Sequence, residues 1–354
     1  MRETKKTKFC IGLNGKSGNL ETLLDKRGAD LYEVFAPCPC DIAPTGRRVE
    51  VQMTLQELKR QIRLAHNHGV GYNVLMNASC FGGAEFGQAY RNKISDFVKK
   101  IDDLGADSAT IMNPFIIDLV RQSSKRIKII VGSFAEIVEP VKIERFRSRG
   151  VNRIVLHQNV YRNFEMLKRI RKYTDLDLEI IPNQGCMNQC ECFITHINIV
   201  AHSSVATKSE IKKFGDYDFP IKRCRSIRQK DPVEFLMSCF IRPEDLRIYE
   251  KLGFNIFKLA GRRSSTEWML NSLDAYVKRG YAGNLFDLSA HVGENPKICY
   301  LPNLVLNGWY QYMGSNADHL AFRKKAIEFC LRNKIYKFFP DWSKSGPKKK
   351  ARFN

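Results

Sequence analysis

Residues 55–76 read LQELKRQIRLAHNHGVGYNVLM, a pattern that predicts a helix followed by a buried strand. Over Leu55–His68 the apolar residues recur at the spacing of one helix face, at Leu55, Leu58, Ile62 and Ala65. Gly69 then stands where a helix C-cap is expected, because glycine adopts the left-handed conformation without strain. The apolar run Tyr72–Met76 follows at once and predicts a strand.

This alternation continues along most of the chain. Strands are predicted at Phe9–Leu13, Leu31–Phe35, Tyr72–Met76, Ser108–Met112, Ile127–Val131, Arg153–His157, Leu178–Ile181 and Ile256–Leu259. Most are followed by a helical pattern, as at Ile94–Leu104, Phe164–Tyr173 and Thr266–Arg279. Eight strand–helix units in about 280 residues fit a closed (β/α)8 barrel of the TIM type better than an open sheet. We therefore predict an α/β fold in which residues 1–280 form the barrel.

One connection is much longer than the rest. About 60 residues separate the seventh strand from the helix predicted at Pro243–Leu252, and connections of this length are often functional. Five of the 11 cysteines lie in it. The sequence thus predicts a long cysteine-containing insertion, residues 183–240, after the seventh strand. Residues 281–342 are expected to form an extension that packs on the barrel, and residues 343–354 a disordered basic tail.

Composition limits the classes of function. The 354 residues are 44% hydrophobic and 27% charged, which is enough apolar chain to bury a sizeable core. With a mean hydropathy of −0.34, no run approaches the roughly 18 apolar residues of a membrane span, and no secretory signal opens the sequence. We therefore expect a cytoplasmic protein without membrane insertion, whose cysteines serve a metal, a cluster or redox chemistry. The net charge of +21 indicates an anionic partner such as RNA or an acidic peptide, although solubility alone is the alternative.

Residues 178–192, LEIIPNQGCMNQCEC, place three cysteines just beyond the seventh strand. The carboxyl ends of the strands are the face of a (β/α)8 barrel where chemistry takes place. Three residues separate Cys186 from Cys190, so both thiolates can reach one metal centre. Cys224 and Cys239 can complete a set of four, and Cys192 is the spare, either a substitute ligand or a buried apolar thiol.

Four thiolates suit either a tetrahedral zinc ion or an iron–sulfur cluster, and spacing alone does not separate the two. The cluster is favoured because the cysteines are spread over a long segment and are not paired in two short knuckles. Lys222, Arg223 and Arg225 would also offset the negative charge of a thiolate-bound cluster. A zinc site that includes His196 is a further alternative.

Three motifs together resemble the peptidase U32 family. The run Asn183-Gln184-Gly185-Cys186-x3-Cys190 is similar to the cysteine motif of that family. Residues 240–246, FIRPEDL, and 257–262, FKLAGR, look like its Pro-x-Asp-Leu helix and its Lys-x-x-Gly-Arg strand, in the same order. The chain departs from the family pattern at Ala260, where glutamate is usual, at His157-Gln158, where Arg-Glu is common, and in the shorter start of its cysteine motif. These departures indicate a divergent branch.

The resemblance implies a barrel that carries a 4Fe–4S cluster on four cysteines, here Cys186, Cys190, Cys224 and Cys239. Relatives in the family include oxygen-independent hydroxylases of ubiquinone precursors and of nucleosides in tRNA and rRNA. Other relatives were named collagenase-like peptidases. Some relatives work as obligate pairs, so the resemblance also implies that a partner subunit of the same family is plausible.

Four further residues are candidates for the mouth of the barrel. Lys258 and Arg262 flank the end of the eighth strand, where they would grip a carboxylate or phosphate or form a structural ion pair. His157 ends the sixth strand and would either move a proton or be a satisfied rim histidine. Glu179 is costly to bury unpaired, so it is expected to pair with Lys258 or to act as an acid or base.

Three functions remain open at this point. The first is a cluster-dependent redox enzyme of the oxygen-independent hydroxylase type that acts on an anionic substrate. The second is a peptidase, for which Cys192 with His196 is the nearest combination of a thiol and an imidazole. The third is a non-enzymatic protein that binds RNA or peptide and holds a structural metal.

Overall fold

Eight parallel strands close into a barrel in the computed structural model, which describes residues 6–37, 42–47, 52–205, 218–289 and 300–339. The strands β1 to β8 are Lys8–Gly12, Leu31–Pro37, Gly71–Met76, Ser108–Ile111, Lys128–Val131, Arg153–Val155, Asp177–Ile180 and Ile256–Leu259. Their order around the barrel is their order in the sequence, and β8 pairs with β1. The predicted (β/α)8 barrel is confirmed, and every strand ends within two residues of its predicted bounds.

Helices follow the strands and cover the outside of the barrel. Those after β1 to β6 and after β8 are Asn19–Arg27, Leu55–Asn67, Gln88–Asp103, Pro114–Ser123, Pro140–Arg147, Phe164–Tyr173 and Thr266–Lys278. The second begins where the Thr54 side chain accepts a hydrogen bond of 3.1 Å from the backbone of Glu57, which satisfies one of the free N–H groups of the first turn. None of the helices in the described ranges combines the length and the apolar character needed to cross a membrane.

Side chains alternate along each strand between the helices and the barrel interior. In β3, Val74 and Met76 belong to the large core shared with the helices. Asn73 points the other way and donates a hydrogen bond of 2.7 Å to Ser108 across the interior face. The period of two therefore gives the barrel an apolar coat and a partly polar interior.

The insertion between β7 and β8 is largely helical where the structure describes it. It contains the helices Phe193–Val205, Phe219–Lys230 and Pro232–Leu236, and the crossover then ends with Leu246–Lys251. Proline stands in the first turn of two of these helices, where its missing N–H costs nothing. Residues 206–217 of the predicted insertion lie outside the described residues.

The segment after the last barrel helix packs on the barrel at Arg162, which is surrounded by aromatic rings of that segment. Arg162, in the loop after β6, is buried. Its guanidinium carbon lies 4.5 Å from the ring centroid of Trp309, 3.6 Å from that of Tyr310 and 5.4 Å from that of Phe322. A desolvated cation–π contact contributes about 2 kcal/mol. This cage joins residues 309–322 to the loop after β6.

The rest of this segment is partly helical. Trp309–Met313 is a short helix, and His319–Arg332 is a longer one. Residues 290–299 and 340–342 of the predicted extension lie outside the described residues, as does the whole predicted tail, 343–354.

Candidate functional site

Cys186 and Cys239 lie side by side where the insertion leaves and rejoins the barrel. The backbone N–H of Cys239 donates to the carbonyl of Cys186 at 3.2 Å, and that of Ile241 donates to the carbonyl of Pro182 at 2.9 Å. The Cys239 thiol donates to the carbonyl of Gln184 at 2.9 Å. Backbone hydrogen bonds thus hold together two cysteines that are 53 positions apart.

Cys190 and Cys224 belong to the same group of thiols. Burial raises the pKa of the Cys190 thiol to about 11, and the neighbouring thiols of Cys224 and Cys186 add to the rise. Burial also raises the pKa of Cys224, which is raised further by Cys186 and lowered by the charge of Arg228. The pKa of Cys239 is raised by burial and then by Cys186. All three thiols therefore lie within electrostatic range of Cys186.

A buried arginine faces this group. Arg228 lies one helical turn after Cys224, and only 4% of it is exposed. Its guanidinium donates to the carbonyl of Gly185 and, at 3.4 Å, to that of Cys224. Within the described residues, no carboxylate lies within ion-pair distance of Arg228. A compensating negative charge would therefore have to form on the thiols or on a group that they bind.

Asn183 and Gln184 connect the cysteines to the barrel. The amide of Asn183 both donates to the carbonyl of Ala260 and accepts from its N–H, each at 2.8 Å, so it joins the end of β7 to the end of β8. Gln184 is buried, and its Nε2 donates to the sulfur of Cys186 at 3.2 Å. The polar residues of this motif thus fix the chain direction and orient the first thiol.

Arg262 supports a second arginine near the thiols. Its Nη2 donates to the carbonyl of Arg47 at 2.8 Å and to the hydroxyl of Thr45 at 3.3 Å. Burial lowers the pKa of Arg47, whereas the Cys186 thiol raises it, so Arg47 lies within electrostatic range of that thiol. Arg262, which follows β8, thus holds the segment that brings Arg47 to the cysteines.

Gly261, just before Arg262, has a φ of +125°, and a β-carbon there would lie 2.3 Å from the Trp268 ring. Glycine is therefore required at this turn of the Lys-x-x-Gly-Arg motif.

Glu179 and Lys258 lie inside the barrel, below the cysteines. Lys258 Nζ is 3.8 Å from Glu179 Oε1 and 4.0 Å from the centroid of the Phe35 ring. Arg153 is the nearer partner of Glu179, at 3.2 Å, and it also binds Glu33 at 2.7 Å. The expected pairing of Glu179 with Lys258 is thus present, but it belongs to a larger ion network centred on Arg153.

His157 is buried against the first helix of the insertion. Its ring meets the Phe193 ring edge-on at a centroid distance of 4.7 Å, and its Nδ1 accepts from the Asn159 N–H at 3.5 Å. Burial and, to a smaller extent, the charge of Lys142 lower the pKa of His157 to about 4, so the imidazole is neutral at pH 7. A neutral imidazole in this position can accept or pass on a proton.

Two of the predicted basic residues of the Phe219–Lys230 helix form ion pairs on the surface. Lys222 pairs with Asp218 at 2.9 Å, and Arg223 pairs with Glu191 at 2.7 Å, both on exposed surface. Glu191 raises the pKa of Arg223, and the Cys192 and Cys190 thiols raise it further, so Arg223 lies within electrostatic range of the cysteines. The residues that sequence reasoning missed are Arg228 and Arg47. The spacing from Cys224 to Arg228 is one helical turn and could have indicated a shared face, whereas no local signal marks Arg47.

Neither a site for one metal ion nor a hydrogen-bonded thiol–imidazole pair of Cys192 and His196 is present among the described residues. In the parts of the chain that the structure describes, no three His, Cys, Asp or Glu side chains converge closely enough to hold one metal ion. Among the same residues, no side-chain hydrogen bond joins Cys192 to His196, and burial lowers the pKa of His196 to about 4.

Comparisons with known proteins agree on one family. The model of peptidase family U32 matches residues 40–280. The uncharacterized protease MJ1657 of Methanocaldococcus jannaschii is 27% identical over 296 residues, which are 84% of this chain and 86% of that protein. The solved structure of the U32 peptidase Mk0906 superimposes with a TM-score of 0.52 at 15% identity, covering 72% of this chain and 93% of its own. The structural match supports the fold alone.

The ion network inside the barrel leads to a stability prediction. Arg153→Met leaves Glu33 and Glu179 buried without their guanidinium, so we expect the free energy of unfolding to fall by about 3–5 kcal/mol in a urea titration. Arg149→Met is the matched control, because Arg149 pairs with Asp118 on the exposed surface, and it is expected to cost at most about 1 kcal/mol. Equal losses in the two variants would contradict a central role for Arg153.

Proposed function

This chain is a member of peptidase family U32, and we propose that it binds a 4Fe–4S cluster and acts as a redox enzyme of the hydroxylase type on an anionic substrate. The proposed ligands are Cys186, Cys190, Cys224 and Cys239. One observation carries the proposal: Cys190, Cys224 and Cys239 all lie within electrostatic range of Cys186. The buried Arg228 lies in range of Cys224 and Cys239 and has no carboxylate partner among the described residues.

The donor set fits such a cluster. All four groups are free thiols, and iron–sulfur clusters are held by cysteine thiolates. The four cysteines are spread over residues 186–239 and are not paired in two short knuckles, which favours the cluster over the zinc alternative.

The charge of the surroundings supports the same assignment. A buried guanidinium needs a negative partner, because burying an unpaired charge costs several kcal/mol. Neutral thiols with raised pKa values do not supply that charge to Arg228, whereas a thiolate-bound cluster carries net negative charge. Arg47 lies near Cys186 and would contribute to the same balance.

When bound, the cluster would supply one-electron transfer. The residues of this chain would then have separate tasks: the hydrogen bond from Gln184 would orient the sulfur of Cys186, and Arg262 would hold the segment that carries Arg47. A basic rim beside the cysteines suits an anionic substrate, and the net charge of +21 agrees with RNA or an acidic peptide. A partner subunit and a cytoplasmic location stay predictions.

A peptidase is the second candidate, because the matched family and the relative MJ1657 carry protease names. A cysteine peptidase requires a thiol that is activated by an imidazole base. Cys192 and His196 are the nearest such combination, but the structure describes only a backbone hydrogen bond between them, of 2.8 Å. The side-chain geometry therefore gives this candidate less support than the cluster has.

The cluster is tested by purifying the protein without oxygen and measuring iron, acid-labile sulfide and the absorption spectrum. We expect about four iron and four sulfide per chain, with a broad band near about 400 nm that is lost in Cys186→Ala. Cys330→Ala is the matched control, because Cys330 is buried in the His319–Arg332 helix, away from the group of four thiols. A colourless protein with one zinc would contradict the proposal and leave a structural metal site.

The role of Arg228 is tested by comparing two variants of one helix. Arg228→Met removes the buried charge that faces the thiols, so we expect iron to be lost to a chelator at least about fivefold faster than from the wild type. In Lys230→Met the lost charge is an exposed one at the end of the same helix, and iron loss should be nearly unchanged. Faster loss from Lys230→Met than from Arg228→Met would show that the surface charges matter more.

The peptidase candidate is tested on the same preparations with a mixture of acidic and basic peptides. If the protein is a cluster enzyme, we expect Cys192→Ala and His196→Ala to leave the rate of any peptide cleavage in the preparation unchanged, because that enzyme uses neither residue as a ligand. Cleavage that disappears in both variants while iron content is retained would favour the thiol–imidazole peptidase.

A further inference from the structure

We propose that Asn159 is a positioning residue for Cys190: its side-chain amide holds the turn that directs this cysteine toward the other three thiols. The inference rests on the proposed function, because Cys190 is a cluster ligand only in that function. It concerns the loop after β6, which contributes none of the four proposed ligands.

The turn before Cys190 is conformationally unfavourable. Gln189 has a φ of +51°, in the left-handed region, and it is one of only four described residues other than glycine with positive φ. A side chain with a β-carbon is strained there, because the β-carbon comes close to the carbonyl oxygen. Since Cys190 is the next residue, the backbone angles of Gln189 set the direction in which its thiol projects.

Asn159 binds Gln189 at two points. Its Oδ1 accepts from the backbone N–H of Gln189 at 3.0 Å, and its Nδ2 donates to the Gln189 side-chain oxygen at 3.3 Å. The same loop touches the chain beyond the cysteines, where the His157 ring packs on Phe193. The loop after β6 therefore holds the segment 189–193 on both sides of Cys190.

This loop is itself firmly anchored. The hydroxyl of Tyr161 donates to the carbonyl of Leu156 at 3.0 Å and accepts from the N–H of Ile181 at 2.9 Å, which ties the ends of β6 and β7 together. The Tyr249 hydroxyl donates to the Tyr161 carbonyl at 2.7 Å, and Arg162 sits in its aromatic cage. Asn159 thus projects from a rigid platform, as a positioning residue must.

The consequence is preorganisation. A thiol that is already directed toward its metal loses less conformational entropy on binding than one on a free loop. Without the amide of Asn159, Gln189 is free to leave the left-handed region, and Cys190 would then turn away from the group.

The test is Asn159→Ala, measured in two states. In metal-free protein, we expect Cys190 to react with iodoacetamide at least about fivefold faster than in the wild type, because one lost hydrogen bond corresponds to about fivefold and this variant loses two. The rate is read by mass spectrometry, with Cys330 as the internal reference. In protein loaded with iron and sulfide, loss of iron to a chelator should accelerate by a similar factor.

Asn163→Ala is the matched control. Asn163 lies in the same loop, and its side chain also accepts from a backbone N–H, but that N–H belongs to Met166 in the first turn of a helix. A general weakening of the loop would therefore change both variants alike. We expect Asn163→Ala to lower the melting temperature without changing the reactivity of Cys190.

Rescue separates positioning from mere stability. Gln189→Gly allows positive φ without strain, so the double variant Asn159→Ala/Gln189→Gly should recover most of the wild-type iron retention. Retention that stays as low as in Asn159→Ala, or a Cys190 reactivity that is unchanged in Asn159→Ala, would overturn the inference. Wild-type protein that assembles no cluster would refute the proposed function, while the reactivity of Cys190 in metal-free protein would still decide whether Asn159 positions it.

Discussion

The guanidinium of Arg153 lies inside the barrel between Glu33, at 2.7 Å, and Glu179, at 3.2 Å. The three residues come from β6, β2 and β7, so the network crosses the barrel between opposite strands. Although burial opposes its charge, the two carboxylates raise the pKa of Arg153, and burial raises the pKa of Glu33. Each charge is tolerated only because the others are present. This dependence fixes the relative positions of strands on which the mouth of the barrel is built.

Because this ion network and small apolar clusters fill the barrel interior, the candidate site lies above it, at the carboxyl ends of the strands. Glu179 and Lys258 face one another in this layer, at 3.8 Å, and so belong to the scaffold as much as to the site. The cysteines stand one level higher, where Asn183 joins the ends of β7 and β8 through Ala260. A rigid barrel thereby carries a site that consists of loops and an inserted helical segment, as is typical of this architecture.

The strands and the position of Cys186 could be predicted because both depend on local patterns. Periodicity marks β7, and a cysteine just past its end must lie at the mouth. The partners of Glu179 and of the thiols could not be predicted in the same way. Arg153 reaches Glu179 through the stagger of neighbouring strands, and Arg47 reaches Cys186 from a segment more than a hundred residues away. Such contacts are set by the closure of the barrel, which leaves no mark in the local sequence.

The departures from the family pattern also acquire a physical meaning. Where relatives carry an Arg-Glu pair after strand six, this chain has His157, which burial keeps neutral with a pKa of about 4, and Gln158, which is buried. Position 260 is usually glutamate in the family pattern, and here Ala260 packs on a small apolar cluster of Ile130, Val155 and Ile181.

His157, Gln158 and Ala260 thus leave uncharged groups at the mouth. The positive charge near the cysteines comes from Arg47 and Arg228, which are held by neighbouring loops and by the insertion. Arginines among such groups attract anions, because uncharged neighbours do not offset the guanidinium charges. This local charge has the same sign as the net charge of +21, and both agree with the anionic substrate proposed for this chain.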